Sequence, residues 1–264
     1  MPPRVVIFDL DDTLVVDEAT SRSAMEAVAA SAERWFGVCA ARFLEDARRL
    51  AGDFWTANPE RAYCERIGIS FEEALYGRLD EEAPDENRRF MAWARTARVE
   101  FFFAVLRLQG LADVEAARRA AAEFASVRRG LQRLMPDARE VLARLSRTHR
   151  LALLTNGARS IQREKIADAG LSDLFEKVII SGEEGVGKPE VAVFHLLLAR
   201  LGVSSSEAAM VGNSLSRDIL GARNAGIPLT VWLRVAGSEE PADVSPVATI
   251  HGLHELPEVV ARFS

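Results

Sequence analysis

The stretch Val5-Val6-Ile7-Phe8 runs straight into Asp9, Leu10, Asp11 and Asp12. A four-residue apolar run of this kind reads as a buried strand, yet three of the next four residues are acidic. Asp9 and Asp11 are two apart, and in an extended segment alternate side chains share a face. Two carboxylates so placed repel one another unless a cation intervenes. A hard divalent ion such as Mg²⁺, held by a few oxygens with room left for phosphate, answers that requirement. Asp9 then has the chemistry of a carboxylate nucleophile, and Asp11 that of a general acid that later serves as base. The competing reading is an exposed Asp-rich turn or a helix N-cap, and Asp12 is assigned to it.

Three further places follow strand-like runs. Leu151–Leu154 leads into Thr155-Asn156-Gly157, Lys177–Ser181 leads towards Gly185-Val186-Gly187-Lys188-Pro189, and Ala208–Val211 leads into Gly212-Asn213-Ser214 with Asp218 five positions after Asn213. Thr155 and Asn156 could donate hydrogen bonds to a transferring phosphoryl group, although Asn-Gly is also a common turn pair. Lys188 stands out because only three of the 33 basic residues (Lys165, Lys177 and Lys188) are lysine. A compact ammonium suits a point contact with phosphate or with a carboxylate nucleophile. Gly182 to Lys188 has the spacing of a nucleotide-binding P-loop. Pro189 stands where that motif needs a hydroxyl, and Glu183 and Glu184 would put negative charge in the phosphate cradle, so that reading is rejected. His251 and His254 have a metal-like spacing but no third ligand, and are read as loop.

These groups need a scaffold that brings four strand ends together. The strand-like runs alternate with helical segments near 137–148, 160–169, 190–201 and 217–225, which predicts βα repeats and a parallel sheet. Right-handed crossovers would make that sheet doubly wound and Rossmann-like, with ligands beyond the carboxyl ends of its strands. Residues 16–134 read as helical throughout. Ser23 with Glu26 suggests a capping box, Gly37 closes the first stripe, and further stripes run from Phe43 to Phe54, Phe90 to Leu108 and Val114 to Phe124. Strand 4–8 finds no partner in that stretch. The expected organisation is a discontinuous α/β core, 1–15 and 135–264, with an all-helical domain inserted at 16–134. The stretch 237–246 reads as a surface loop.

Composition narrows the class. At 264 residues, 48% hydrophobic and 27% charged, the chain is an ordinary globular sequence near the size at which a second domain appears. A formal net charge of -6 gives no mark of a nucleic-acid binder. No apolar run approaches the roughly 18 residues of a membrane span. The N-terminus enters structure at once, so no signal peptide is expected. Two cysteines without metal spacing fit a reduced, cytoplasmic setting.

FDLDDTL, LLTNG, GKP and VGNSLSRD, in this order on one alternating chain, resemble the four motifs of the haloacid dehalogenase superfamily of phosphohydrolases. The resemblance spans residues 4–14 and 135–264, and the helical insertion looks like that superfamily's C1-type cap. It implies a Mg²⁺-dependent phosphatase for a small phosphorylated metabolite. Asp9 would attack phosphorus and become an aspartyl-phosphate. Asp11 would protonate the leaving group and then activate water, Thr155 and Asn156 would hold phosphoryl oxygens, and Lys188 would steady nucleophile and phosphate. Mg²⁺ would sit on the Asp9 carboxylate, the Asp11 backbone carbonyl and the last motif, Asn213 and Asp218. The cap is expected to close as a lid, with hinges near 15–20 and 132–137. Asp11 argues against true dehalogenases, whose first motif lacks it. Thr155-Asn156-Gly157 followed by Gln162-Arg163-Glu164-Lys165 resembles the branch of N-acylneuraminate-9-phosphatases and pyrimidine 5'-nucleotidases. Two alternatives stand beside the phosphatase: a phosphomutase using the same aspartyl-phosphate, and a non-catalytic binding protein.

One position departs from the pattern. The fourth motif usually reads Gly-Asp, and here it is Gly212-Asn213. Asparagine still offers an oxygen but removes one negative charge from the metal site. Asn213 could instead only cap the helix expected from about Ser216.

Overall fold

The computed structural model describes residues 3–78, 85–235 and 244–263. They fall into two compact units. One comprises residues 1–16, 133–158 and 162–264, and the other residues 17–132 with 159–161.

In the first unit the apolar run becomes strand β1 (Val5–Phe8), with all four residues buried. The chain returns at α7 (Ala138–Leu145), after the six helices of the other unit, and then alternates through β2 (Arg150–Thr155), α8 (Arg159–Asp168), β3 (Lys177–Ile180), the single turn α9 (Ser181–Glu184), α10 (Val191–Leu201), β4 (Ala208–Gly212), a π-helical turn at Leu215–Ile219 running into α11 (Leu220–Asn224), β5 (Leu229–Leu233), β6 (Ala248–Ile250) and α12 (Leu256–Arg262). The six strands form one parallel sheet in the order β3-β2-β1-β4-β5-β6. β1 lies between β2 and β4, with Phe8 opposite Leu153 and Val211. The strand order turns about β1, so its carboxyl end opens at the switch point where doubly wound sheets bind ligands.

Alternation explains why the strands read as continuous apolar runs, since both faces are covered. Val6, Phe8, Leu151, Leu153, Ala209 and Val211 pack with Val141, Leu142 and Leu145 of α7 and with Leu256 and Val260 of α12. Val5, Ile7, Ala152, Leu154, Ala208 and Met210 pack with Val193, Phe194, Leu197 and Leu201 of α10. The outgoing and returning segments run side by side: the Val16 amide donates to the Arg133 carbonyl at 3.0 Å and the Met135 amide to the Leu14 carbonyl at 2.8 Å.

The second unit is helical: α1 (Glu18–Phe36), α2 (Ala40–Thr56), α3 (Arg61–Ile67), α4 (Phe71–Tyr76), α5 (Asp85–Arg107) and α6 (Val114–Gly130). Its core is aromatic, with the Phe101 ring 5.1 Å from Phe71 and 5.2 Å from Phe102. Residues 159–161 belong with it because the Ser160 hydroxyl donates to the Arg78 carbonyl at 2.8 Å and Ile161 fills the space beside Gly77.

Several expectations are corrected. Ser23 and Glu26 do not start a helix, because α1 begins five residues earlier at Glu18. Its first turn is held from α6, where buried Arg128 donates to the Ser21 hydroxyl at 2.8 Å and pairs with Asp17. Gly37 does end α1, in the left-handed region at φ 71° with its amide bonded to Glu33. Ser181 opens α9 instead of closing β3. Glu183 and Glu184 pair with Arg163 and Arg200 at 2.8 and 2.6 Å. β6 was not foreseen. His254 lies in a 3-10 turn, Leu253–Glu255, that leads into α12, so that stretch is not simply loop. Of the loop expected at 237–246, residues 237–243 lie outside the described residues.

Leu197 is fully buried between α10 and the sheet. Leu197→Ala is expected to lower unfolding stability by about 2–5 kcal/mol, whereas the exposed Leu108→Ala should stay within about 0.5 kcal/mol. Urea denaturation followed by circular dichroism measures both.

Candidate active site

β1 ends by delivering Asp9, 7% exposed, beside the Lys188 ammonium at 2.5 Å. Lys188 arrives on the segment after α9 and is itself 4% exposed. It also lies 2.7 Å from Asp218 Oδ1, an ion pair off the line of a good hydrogen bond. One buried cation therefore sits between two buried carboxylates. Burial pushes the Asp9 carboxyl above its ordinary value, the Asp218 charge adds to that, and the Lys188 ammonium opposes both. Burial pulls the Lys188 ammonium down, but the Asp218 and Asp9 carboxylates outweigh it and hold it above the usual lysine value.

Each member of this trio is fixed by local structure. The Asp9 amide donates to the Val211 carbonyl at 3.0 Å, and Thr13 donates its hydroxyl to Asp9 Oδ2 at 3.0 Å. Asp218 Oδ2 accepts the Ser214 amide at 2.9 Å. Gly212 is required by this approach, since a β-carbon there would lie 2.2 Å from Asp218 Oδ2. Lys188 is held through its backbone by Asn156: the Asn156 amide donates to the Lys188 carbonyl and accepts from the Lys188 N–H, both at 2.8 Å. Gly187 permits this clamp, because a β-carbon there would lie 2.7 Å from Asn156 Oδ1.

The Asn156 amide nitrogen and oxygen both meet the 188 backbone, so the side chain orients the lysine segment. Thr155 is buried at the end of β2 as expected. Its hydroxyl oxygen accepts from the Gln162 amide at 2.6 Å.

Asp11 does not lean on Asp9. After Phe8 the chain turns tightly, with the Leu14 and Val15 amides both donating to Leu10 and with Asp12 at φ 53°. Short polar Asp tolerates that left-handed conformation better than most residues. Asp11 instead meets Lys165 at 2.8 Å through Oδ1 and the Gln162 amide at 2.9 Å through Oδ2. The repulsion anticipated between the two aspartates is thus answered by one lysine apiece. Thr13, Gln162 and Lys165 received no role from the sequence, although Thr13 lies in the first motif. Lys165 carried the same signal as Lys188, being one of three lysines in an arginine-rich chain.

Asn213 Oδ1 lies 3.4 Å from the Thr13 hydroxyl that also bonds Asp9, so the two side-chain oxygens face a common point. The capping alternative for Asn213 fails, because Ser214 caps the following turn by accepting the Arg217 amide at 3.2 Å. Asp218, expected at the metal, has its oxygens on Lys188 and Ser214. Among the described residues no three His, Cys, Asp or Glu side chains cluster as a metal-ligand set. What remains is a hard oxygen set of one carboxylate and one amide oxygen. It fits Mg²⁺, which takes one or two carboxylates with waters and phosphate oxygens, but at low charge.

Comparison with known proteins agrees with this geometry. A family model for haloacid dehalogenase-like hydrolases matches residues 3–226. A phosphoserine phosphatase of Thermus thermophilus is 36% identical over 256 residues, covering 96% of this chain and 97% of that protein. An N-acylneuraminate-9-phosphatase of Rattus norvegicus is 28% identical over 263 residues, 97% of this chain and 93% of that one. Among solved structures, the magnesium-bound HAD-hydrolase YfnB of Bacillus subtilis matches with a TM-score of 0.66 at 20% identity, covering 98% of this chain and 99% of its own, a likeness of fold. With an aspartate at the end of the central strand, a lysine against it and a family match over most of its length, the chain belongs to the haloacid dehalogenase-like hydrolases.

Proposed function

We propose that this enzyme is a phosphatase for a small organic phosphomonoester and that Asp9 is its nucleophile. The observation that carries the reading is the Asp9 carboxylate at the switch point of the sheet, 2.5 Å from a buried ammonium. The phosphatases among its relatives support it.

Lys188 favours the ionised form of Asp9 and is placed to offset charge on the entering phosphate. An Asp9 oxygen attacks phosphorus in line with the ester oxygen. The phosphorus–oxygen bond to the leaving alcohol breaks while Asp11 supplies its proton. Asp9 then carries the phosphoryl group as a mixed anhydride. Asp11, now ionised, takes a proton from water as that water attacks phosphorus, and Asp9 is released with inorganic phosphate. Thr155 donates its hydroxyl to a phosphoryl oxygen, where charge is largest in the transition state. Asp9, Asn213 and the Asp11 backbone carbonyl would hold Mg²⁺, whose charge would neutralise phosphoryl oxygens. Asp218 contributes through Lys188. The helical unit, a cap in this reading, is assigned the choice of leaving group. A cytoplasmic setting is supported by two free cysteines, and no helix of the described residues is long and apolar enough to cross a membrane.

Asp9→Asn keeps shape and removes the nucleophile. Phosphate release from a panel that includes phosphoserine, N-acylneuraminate 9-phosphate and nucleotides, with Mg²⁺, should fall by at least about 10⁴-fold while the melting curve stays cooperative. Turnover near the wild-type rate in this variant would rule out the nucleophile assignment.

Asn213→Asp restores a second carboxylate to the oxygen set. Calorimetric titration with MgCl₂ in the absence of substrate should show binding tightened on the order of tenfold, since ligand charge is a main determinant of affinity for hard cations. Unchanged affinity would place the Asn213 side chain outside the metal shell.

A further inference from the structure

Gln162 is fully buried on α8, and its amide nitrogen touches three acceptors: Asp11 Oδ2 at 2.9 Å, Thr155 Oγ1 at 2.6 Å and the Asn156 carbonyl at 3.0 Å. The Asn156 carbonyl can only accept, so the side chain presents its nitrogen. Its own oxygen is then left buried without a hydrogen-bond partner. Three residues on, one helical turn along the same face, Lys165 is 2% exposed and holds Asp11 Oδ1 at 2.8 Å. Both oxygens of Asp11 are therefore fixed from a single helix.

We propose that Gln162 and Lys165 are positioning residues of the reaction: together they aim the Asp11 carboxyl, and Gln162 also sets the direction of the Thr155 hydroxyl. The second role follows from hydrogen-bond direction. Thr155 Oγ accepts from Gln162, so its own hydrogen must point elsewhere. At 3.4 Å its contact with the Asn156 carbonyl is long and is readily exchanged for a phosphoryl oxygen. One amide thus couples the group that moves the proton to a group that binds the phosphate. Lys165 acts on Asp11 through Oδ1.

The proposal rests on the phosphatase reading, and leaving-group chemistry separates the two. A nitrophenolate departs as a stable anion and needs no proton, whereas an alkoxide must be protonated as it leaves. Lys165→Met and Gln162→Leu are compared with wild type in rapid-mixing experiments with p-nitrophenyl phosphate and with β-glycerophosphate. In Lys165→Met the burst of nitrophenolate should keep its rate within about threefold, while single-turnover cleavage of β-glycerophosphate slows about tenfold to hundredfold, the scale set by a displaced catalytic group. In Gln162→Leu both should slow, β-glycerophosphate cleavage the more, because Thr155 is disturbed along with Asp11. The slow phase after the burst should lengthen as well, because Asp11 also activates water. Gln162→Leu should weaken competitive inhibition by inorganic phosphate, about threefold to tenfold, through Thr155. If Gln162→Leu does not fold, Lys165→Met carries the comparison for Asp11 and the near-isosteric Gln162→Met carries it for Thr155. Equal slowing of burst and β-glycerophosphate cleavage, or no slowing of either, overturns the positioning role. Absence of any burst or phosphate release from the wild-type enzyme would instead fault the phosphatase reading itself.

Discussion

The site depends on one buried cation. Lys188 sits with its ammonium 2.5 Å from Asp9 and 2.7 Å from Asp218, with all three side chains almost wholly withdrawn from water. An ammonium in that position is tolerable only when paired, and removing one partner of such a pair typically costs about 3–5 kcal/mol because a charge is left uncompensated. The trio draws from the end of β1, the segment after β3 and the turn after β4, so the same attraction ties three strand ends together. Much of the local sequence serves it. Gly212 makes room for Asp218, Gly187 makes room for Asn156, and Asn156 fixes the backbone that carries Lys188. Two carboxylates against one ammonium also leave the trio short of positive charge, and burial together with the Asp218 charge holds the Asp9 carboxyl above its ordinary value.

A second lysine repeats the device one step away. Lys165 is paired with Asp11 as Lys188 is with Asp9, and these are two of the three lysines in a chain that elsewhere uses arginine. The preference has a physical basis. A guanidinium is a broad planar fork that engages carboxylates in pairs of bonds, whereas an ammonium is a compact point charge that fits beside a single oxygen. The exposed ion pairs show the other use. Arg163 with Glu183 and Arg200 with Glu184 are two-pronged surface pairs on helices, of a kind worth little to stability. Lysine is therefore the cation at Asp9 and Asp11 after β1, although arginine is also buried elsewhere, at Arg128.

This separation explains what could be read from the sequence and what could not. The sheet was legible because burial on both faces forces uninterrupted apolar runs, and each run then pointed at its own strand end. Lys188 was legible from its type. The start of α1 was not, because its first turn is held by Arg128, which lies 107 residues beyond Ser21. β6, three residues long, is too short to carry a pattern. The clamp made by Asn156 was not legible, since nothing in Asn-Gly tells that its side chain meets the backbone 32 residues on. The sequence placed Gln162 beside the second motif only as part of a resemblance. Its placement depends on three acceptors, from the end of β2, the residue after it and the turn after β1, meeting one nitrogen.

Gln162 also shows how much the fold concedes to the arrangement. Its oxygen is buried without a partner, and leaving a polar atom in that state costs about 1–3 kcal/mol. An apolar residue of the same shape would avoid that penalty and pack as well in the interior. It would also leave the Thr155 hydroxyl undirected and one Asp11 oxygen without a donor. Under the proposed function, that cost falls where the proton-transfer group and a phosphate-binding group meet. Asn213 concedes in the opposite sense. It gives up a charge near Asp9 that an aspartate would supply, yet its oxygen still faces the Thr13 hydroxyl shared with Asp9. Under the proposed function, the attraction for a cation there would fall chiefly to Asp9, whose own charge already meets Lys188. In that reading Asp9 is therefore the point at which the buried lysine and the oxygen set compete.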